Sequence, residues 1–253
     1  HRTSRRMATV FGYACDHTPD MMPLPVWAAH RIAAAIDAER RAGPLGALSP
    51  DAQAQVAVVF AGRVPVRLSH VAVTVSGVPE AQAEALKERV VAAAVRPALS
   101  DAPVPLDEAT HVGVRTERTG GPSAHSGLTG RKLADDTYGG LCRHGAAALS
   151  GKDPARIDRI GAYAARRAAR SVVAAGLARE AEVQLCWVGG EERPVSVEVD
   201  TFGSGRVDDA AIGRRLAAAF DFRPGAIAEE LGLRDLPARH GGVFYRRLAA
   251  YGH

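Results

Sequence analysis

A stretch in the middle of the chain combines glycine turns with fixed positive charges. It begins with Gly127-Leu128-Thr129-Gly130-Arg131-Lys132 and ends with Ser150-Gly151-Lys152-Asp153. Glycine lets a backbone approach a ligand closely and adopt dihedral angles that other residues avoid. Arginine and lysine supply forked and point-like charges that suit phosphate oxygens. The stretch therefore predicts a binding site for a phosphorylated small molecule.

A Walker-type phosphate loop would offer similar chemistry, but the spacing excludes it. Gly145 precedes Gly151-Lys152 by one residue too many for that motif. Asp153 also stands where a Walker loop needs a serine or threonine to bind magnesium. The sequence thus indicates a phosphate site of a different design.

Composition narrows the class of protein. The chain has 253 residues, an apolar content of 47% and a formal net charge of +4. This length suits one large or two ordinary domains with a real core. The arginines are scattered through alanine-rich helices without interleaved aromatic residues, which does not fit a nucleic-acid surface. We therefore predict no nucleic-acid partner.

The cysteines and the hydropathy pattern bear on location. Cys15, Cys142 and Cys186 are far apart and show no paired or metal-binding spacing. An odd cysteine count without a secretory leader is typical of a reducing compartment, so we predict a cytoplasmic protein. No apolar run approaches the roughly twenty residues that span a bilayer. We predict no membrane partner.

Apolar periodicity predicts an α+β fold. The predicted helices cover Pro25–Ala42, Pro79–Val95, Asp153–Ala175, Asp208–Ala219 and Gly225–Leu231. The predicted strands cover Ala54–Phe60, Pro65–Ser76, His111–Arg115, Glu182–Val188 and Pro194–Thr201. This recurring order indicates subdomains that each form a sheet with helices on one face.

Two predictions concern apolar faces. In the second helix, Leu86, Val90 and Val91 are expected to point inward. The sheets are expected to expose apolar faces that a second subunit covers, supplied by Val56, Val58, Val71, Val73 and Val75.

The motifs follow one another in the order of a known family. After the glycine-rich stretch come Asp158-Arg159 and Ala162-Tyr163-Ala164-Ala165-Arg166, and Phe11-Gly12-Tyr13-Ala14 precedes it. Asp221-Phe222-Arg223-Pro224 and Ala249-Ala250-Tyr251-Gly252-His253 follow near the end. In this order the chain resembles the S-adenosylmethionine synthetases, also called methionine adenosyltransferases.

The resemblance implies an architecture and an assembly. Family members have three similar subdomains around a pseudo-threefold axis, and their sheets pack together in a dimer. For this chain we expect a first subdomain at 17–120, a ligand loop with part of the central subdomain at 121–160, and a C-terminal subdomain at 161–253 that includes 1–16. We expect a homodimer or homotetramer with shared active sites.

The resemblance also implies a reaction, in which the sulfur of methionine attacks C5′ of ATP and expels the triphosphate. By resemblance, Arg131, Lys132 and Lys152 form the phosphate cradle, and Arg131 and Lys152 serve catalysis. Asp158 would hold Mg²⁺, and K⁺ is a second candidate cation. The remaining ligand contacts implied by the family are Arg156, Ser150, Asp51 and His125.

Departures from the family pattern lie at ligand positions. Gln53 stands where the family has a phosphate-binding lysine, and His125 stands where it has an aspartate. A neutral imidazole cannot hold a metal or an ammonium group by charge as a carboxylate does, and an imidazolium would repel both. We therefore expect a divergent member for which methionine is a poor substrate, so that an altered acceptor stays open.

Family members also carry an N-terminal part with an HPD motif, which does not occur in this sequence. We expect that part to lie outside the given residues. Three functions remain open: an ATP-dependent adenosyltransferase, a hydrolase of nucleotide triphosphate or tripolyphosphate, and a non-catalytic subunit that regulates an active homologue.

Overall fold

The computed structural model describes residues 3–121, 124, 132–145 and 147–253. The chain divides into two compact units. The terminal unit comprises His1–Met22 and Thr129–His253, and the middle unit comprises Pro23–Leu128. Each unit contains a three-stranded sheet with helices on one face, which confirms the predicted α+β class.

The middle sheet is formed by β2 (Ala52–Ala61), β3 (Val64–Ser76) and β4 (His111–Glu117), in that spatial order. Strands β2 and β3 form an antiparallel hairpin, and Gly62 turns it at a φ of +61°. Strand β4 pairs with β3 in parallel. The predicted hairpin and the predicted strand at His111 are both confirmed.

Helix α1 (Leu24–Ala42) packs on β2 and buries Trp27, Ile32 and Ile36, as its periodicity predicts. The predicted second helix is instead a run of different helical turns. It consists of a 3-10 turn (Glu80–Gln82), α2 (Ala83–Val90), a π turn (Val91–Val95) and α3 (Arg96–Ala98).

The π turn corrects one prediction about the inward face of this run. A π turn holds an extra residue, so it rotates the side chains that follow it relative to an α-helix. Leu86 and Val90 are buried as predicted, and the next buried residues of this run are Ala94 and Val95. Val91 is half-buried and does not point fully inward.

The valines that were expected to need a second subunit are covered within the middle unit. Val56, Val71, Val73 and Val75 are buried, and Val58 is half-buried. Alternate residues of a strand face opposite sides of its sheet. These valines share the side on which α1 packs. The prediction that they form an exposed apolar face is wrong.

The terminal sheet is formed by β1 (Ala8–Cys15), β5 (Glu180–Trp187) and β6 (Ser196–Asp200), with antiparallel pairing throughout. Sequence periodicity predicts β5 and β6 but not β1. Strand β1 is buried on both faces over Gly12–Cys15, so its sequence shows no alternation of apolar and polar residues.

Helix α5 (Ile157–Ala174) packs on β1 and β5. It ends as predicted at Gly176, whose φ is +67°. The amide of Gly176 donates to the Val173 carbonyl, and the amide of Leu177 donates to the Val172 carbonyl. This pairing satisfies carbonyls that a helix end otherwise leaves without a partner.

The remaining helices belong to the terminal unit. They are α4 (Leu133–Asp136), α6 (Asp209–Ala219), α7 (Pro224–Glu230), α8 (Leu236–Arg239) and α9 (Phe244–Leu248). Helix α6 is capped by Asp208, whose Oδ1 accepts from the Ala211 amide at 3.1 Å. No helix in the described part of the chain has the length and apolar character that a membrane crossing requires.

Candidate functional site

The predicted phosphate site is built around a turn that leads into α5. Gly151 has a φ of +77°, a conformation that glycine adopts without strain. Asp153 then closes a turn, because its Oδ1 accepts from the Ala155 amide at 2.7 Å and its carbonyl accepts from the Arg156 amide at 2.9 Å. The helix therefore begins at Ile157 and not at Asp153, as its periodicity had suggested.

This turn brings three of the predicted site residues together. Lys152 Nζ lies 3.2 Å from Asp158 Oδ2, and Arg156 Nε lies 3.3 Å from the same oxygen. Asp158 is in the first turn of α5, where the helix dipole favours a negative charge. We call Lys152, Arg156 and Asp158 the cation cluster.

The cation cluster carries more positive than negative charge. Two cations share one carboxylate oxygen, and all three side chains are partly shielded from water, with relative exposures of 21% for Lys152, 39% for Arg156 and 20% for Asp158. Arg156 Nε is buried and has no hydrogen-bond partner among the described residues. Partial burial strengthens electrostatic attraction, so the cluster suits an anionic ligand.

Two of the remaining predicted residues, Arg131 and His125, lie outside the described residues, so their roles stay predictions. Lys132 is exposed immediately before α4, and no ion pair links it to a described residue. Ser150 precedes the Gly151 turn and is half-buried. Ligand contacts by Lys132 and Ser150 also remain predictions.

Asp51 belongs to the middle unit and makes a local contact. Its Oδ2 accepts a hydrogen bond from the Gly121 amide at 3.2 Å, and its carbonyl accepts from Ser76 Oγ at 2.9 Å. Asp51 thus holds the backbone at Gly121, ahead of the glycine-rich stretch. Gln53 is exposed on the middle sheet, two residues further along. A ligand contact by Asp51 stays a prediction.

The groups around Asp158 determine whether this residue could hold the predicted Mg²⁺. The described residues contain no cluster of three or more His, Cys, Asp or Glu side chains that could hold a metal ion. One oxygen of Asp158 already lies between two cations. Mg²⁺ is commonly held by one or two carboxylates together with substrate phosphates. Asp158 therefore fits Mg²⁺ as one protein ligand of an ion whose other ligands would include phosphate oxygens.

Sequence reasoning missed one residue next to the cation cluster. Arg159 is 3% exposed, and its Nη1 donates to the Lys152 carbonyl at 2.6 Å. The Asp158-Arg159 pair was visible as a motif, but a buried arginine cannot be distinguished from a solvated one by spacing alone. Its contact with the Lys152 carbonyl places Arg159 next to the cation cluster.

The segment that leads to the site is anchored on the terminal sheet. Tyr138 is buried and meets the ring of Tyr13 edge-on, with 5.9 Å between ring centroids. Arg143 donates its Nε to Glu182 Oε1 and its backbone amide to Glu182 Oε2, both at 2.7 Å. Glu182 is 2% exposed. These contacts fix the chain shortly before Ser150.

The fold and the site geometry describe an α+β protein with a partly buried cation cluster, and comparison with known proteins specifies its family. The central-domain model of S-adenosylmethionine synthetase matches residues 3–118, and the C-terminal-domain model matches residues 119–253. The chain belongs to the S-adenosylmethionine synthetase family. The resemblance inferred from the motifs is thereby confirmed.

Curated relatives agree with the family models. Proteins named S-adenosylmethionine synthase from Prochlorococcus marinus strain MIT 9313, Synechococcus sp. strain RCC307 and Trichormus variabilis are each 44% identical to this chain over 96% of its length. The match covers 61%, 63% and 61% of these relatives. The chain thus spans about three fifths of the length of the curated relatives that it matches.

Proposed function

We propose that this chain carries the triphosphate-binding part of an ATP-dependent adenosyltransferase. The observation that supports the proposal most is the cation cluster, whose net positive charge lies on a glycine turn in a family with relatives named S-adenosylmethionine synthase. The nucleophile is methionine or an altered acceptor, and the substrate that meets the cluster is ATP.

The chemistry needs a site that stabilises a departing polyanion. In the proposed reaction a lone pair of the nucleophile forms a bond to C5′ of ATP. The bond from C5′ to the triphosphate oxygen breaks, and its electron pair leaves with the triphosphate. Lys152 and Arg156 would stabilise this growing negative charge, because fixed donors in a partly buried site need no reorganisation during the reaction.

Asp158 would orient the two cations, because it accepts a hydrogen bond from Lys152 and lies within ion-pair distance of Arg156. Mg²⁺ held by Asp158 and the phosphates would neutralise part of the triphosphate charge. Gln53 and His125 depart from the residues that the family has at these positions. They support an acceptor different from methionine, or slow turnover with methionine.

The phosphate role is tested by calorimetry with tripolyphosphate and with ATP. Lys152→Ala should weaken binding by about tenfold or more, because it removes a charge-assisted contact in a shielded site. Lys87→Ala is the matched control, since Lys87 pairs with Glu84 at 2.6 Å in the middle unit. If Lys152→Ala bound tripolyphosphate and ATP as tightly as the unaltered protein does, Lys152 would have no part in phosphate binding.

Product analysis separates the candidate functions. The full-length protein is incubated with ATP, Mg²⁺ and methionine, and the products are identified by mass. Formation of S-adenosylmethionine supports the adenosyltransferase, whereas phosphate release without an adenosyl product supports a hydrolase. Absence of turnover supports a regulatory subunit.

The proposed assembly is a homodimer or homotetramer with shared active sites. Support comes from the exposed face of the middle sheet, opposite the buried valines. Four of its outward residues are small or uncharged: Gln53, Gln55, Ala57 and Ala72. Such a face can pack closely against a second sheet, since small side chains leave the strands accessible.

A further inference from the structure

Arg159 carries a full positive charge in a nearly inaccessible position. Its Nε donates to Tyr163 Oη at 2.7 Å, its Nη1 donates to the Lys152 carbonyl at 2.6 Å, and its Nη2 lies 3.4 Å from His253 Nε2. The ring of Tyr245 covers the guanidinium, with Cζ 4.7 Å from the ring centroid. We call Arg159, Tyr163, Tyr245 and His253 the Arg159 cluster.

No described residue places a carboxylate within ion-pair distance of Arg159, although every Asp and Glu of the sequence lies in the described part of the chain. Burial of a charge is costly and is normally offset by an opposite charge. Arg143, by comparison, pairs with the buried carboxylate of Glu182. Among the described residues, neutral groups hold the guanidinium of Arg159 and no carboxylate pairs with it.

The hydrogen bonds determine the protonation of His253. A guanidinium can only donate, so His253 Nε2 must accept from Arg159. Tyr163 Oη accepts from Arg159 and can therefore donate its own proton to His253 Nε2, which lies 3.1 Å away. Nε2 has one lone pair, which the two donors share, and either contact requires a neutral imidazole that carries its proton on Nδ1.

The surroundings of His253 favour the same state. The rings of Tyr163 and His253 stack at an angle of 10°, and the backbone amide of His253 donates to the Asp136 carbonyl at 2.8 Å. Burial, followed by the positive charge of Arg159, lowers the pKa of His253 from 6.5 to about 4. The imidazole is therefore neutral at ordinary pH, and it adds no charge of its own to the cluster.

From this geometry we infer that Arg159 is a positioning residue that also lends its charge to the anion site. It fixes the Lys152 turn through the Lys152 carbonyl, and Tyr163 and His253 hold its guanidinium without neutralising it. With Asp153 of the same turn included, Lys152, Arg156 and Arg159 make three cations against two carboxylates. The inference rests on the proposed function, because the bound anion is the triphosphate chain.

A matched pair of substitutions tests the charge role. His253→Gln offers Arg159 a neutral acceptor, whereas His253→Glu offers an acceptor of the same size that neutralises it. In calorimetry with tripolyphosphate, the Glu variant should bind at least about fivefold more weakly than the Gln variant, because a pairing carboxylate cancels attraction in a shielded site. Arg167→Gln, on the same helix and paired with Glu230, is the control and should bind as the unaltered chain does. Equal affinities of the Glu and Gln variants would overturn the charge role.

A second measurement needs no ligand. In the ¹⁵N-labelled chain, the His253 signals, assigned by their loss in His253→Gln, should show an unprotonated Nε2 and a protonated Nδ1 at neutral pH. A protonated Nε2 would overturn the hydrogen-bond scheme that holds Arg159. If the scheme is found but the unaltered chain fails to bind tripolyphosphate, the proposed phosphate site is wrong, and the charge role of Arg159 is wrong with it.

Discussion

The two sheets of this protein share a strand number and a helix-covered face, but their second faces differ. On the terminal sheet, the segment that contains Tyr138 and Arg143 covers the second face, which holds the buried carboxylates of Glu180 and Glu182. On the middle sheet, the second face is exposed and carries residues such as Gln55 and Ala72. Both faces of the terminal sheet are covered within the described chain, whereas one face of the middle sheet is exposed.

The covered face is stabilised by paired polar groups. Tyr13 Oη donates to Glu180 Oε2 at 2.6 Å, and Arg143 donates to both oxygens of Glu182. Arg143 also lies over the ring of Phe11, at 5.4 Å from its centroid. Because the covering segment continues towards Ser150, these pairs also fix the approach to the cation cluster. The terminal sheet thus fixes the segment that leads to the cation cluster, whereas the middle sheet leaves one face exposed.

The helix-covered faces differ as well. Helix α5 approaches β1 so closely that a Cβ on Gly12 would lie 2.0 Å from the Ala165 carbonyl carbon. Gly161 of α5 faces Trp187 and Val10 in the same interface. In the middle unit the space under α1 is filled by valines such as Val56. The terminal unit thus depends on glycine contacts, and the middle unit depends on side-chain packing.

The largest expected effect is at Gly12. Gly12→Ala would force a methyl group into the backbone of α5 and should lower the free energy of unfolding by about 3 kcal/mol or more. Gly113→Ala on β4 is the control, since its Cβ would have its nearest neighbour, His111 Nε2, at 3.7 Å and should change stability by less than about 0.5 kcal/mol. Urea unfolding of both variants checks this, and equal effects would contradict the close approach of α5.

An intermediate effect is expected on the covered face. Arg143→Ala removes the guanidinium and leaves the buried Glu182 carboxylate with the backbone amide of residue 143 as its donor from this segment. The free energy of unfolding should fall by about 2–3 kcal/mol. Arg115→Ala is the control, because Arg115 is 77% exposed and its ion pair with Glu117 should contribute less than about 1 kcal/mol. Adding Glu182→Gln to Arg143→Ala should restore part of the loss in the same urea experiment. No restoration would show that the unpaired charge is not the cause.

The smallest effect on the stability of a single chain is expected at the exposed face. Ala72→Arg should change the free energy of unfolding by less than about 0.5 kcal/mol, because the side chain points to solvent. The same substitution should disrupt the proposed dimer, since an arginine prevents close sheet packing. Sedimentation at micromolar concentration measures the assembly. Ala85→Arg on an exposed position of α2 should leave it intact, and an equally stable assembly of Ala72→Arg would exclude this face as the interface.

Much of the local structure could be predicted from the sequence. Glycine after α5 marked the helix end, Asp208 marked the start of α6, and the Val-rich runs marked the middle hairpin. These features depend on residues close together in sequence, where side-chain chemistry acts directly on the backbone. The motif order also determined the family, because it preserves many short segments at once.

The tertiary structure alone decided which groups are buried and what they contact. Strand β1 has no periodicity because both of its faces are covered, and the valines are buried because α1 packs on their side of the sheet. The guanidinium of Arg159 is linked to the cation cluster through the Lys152 carbonyl, and it contacts His253, which is 94 residues away in sequence. Such contacts depend on distant segments meeting in the fold, and the local spacing of charges carries no information about them.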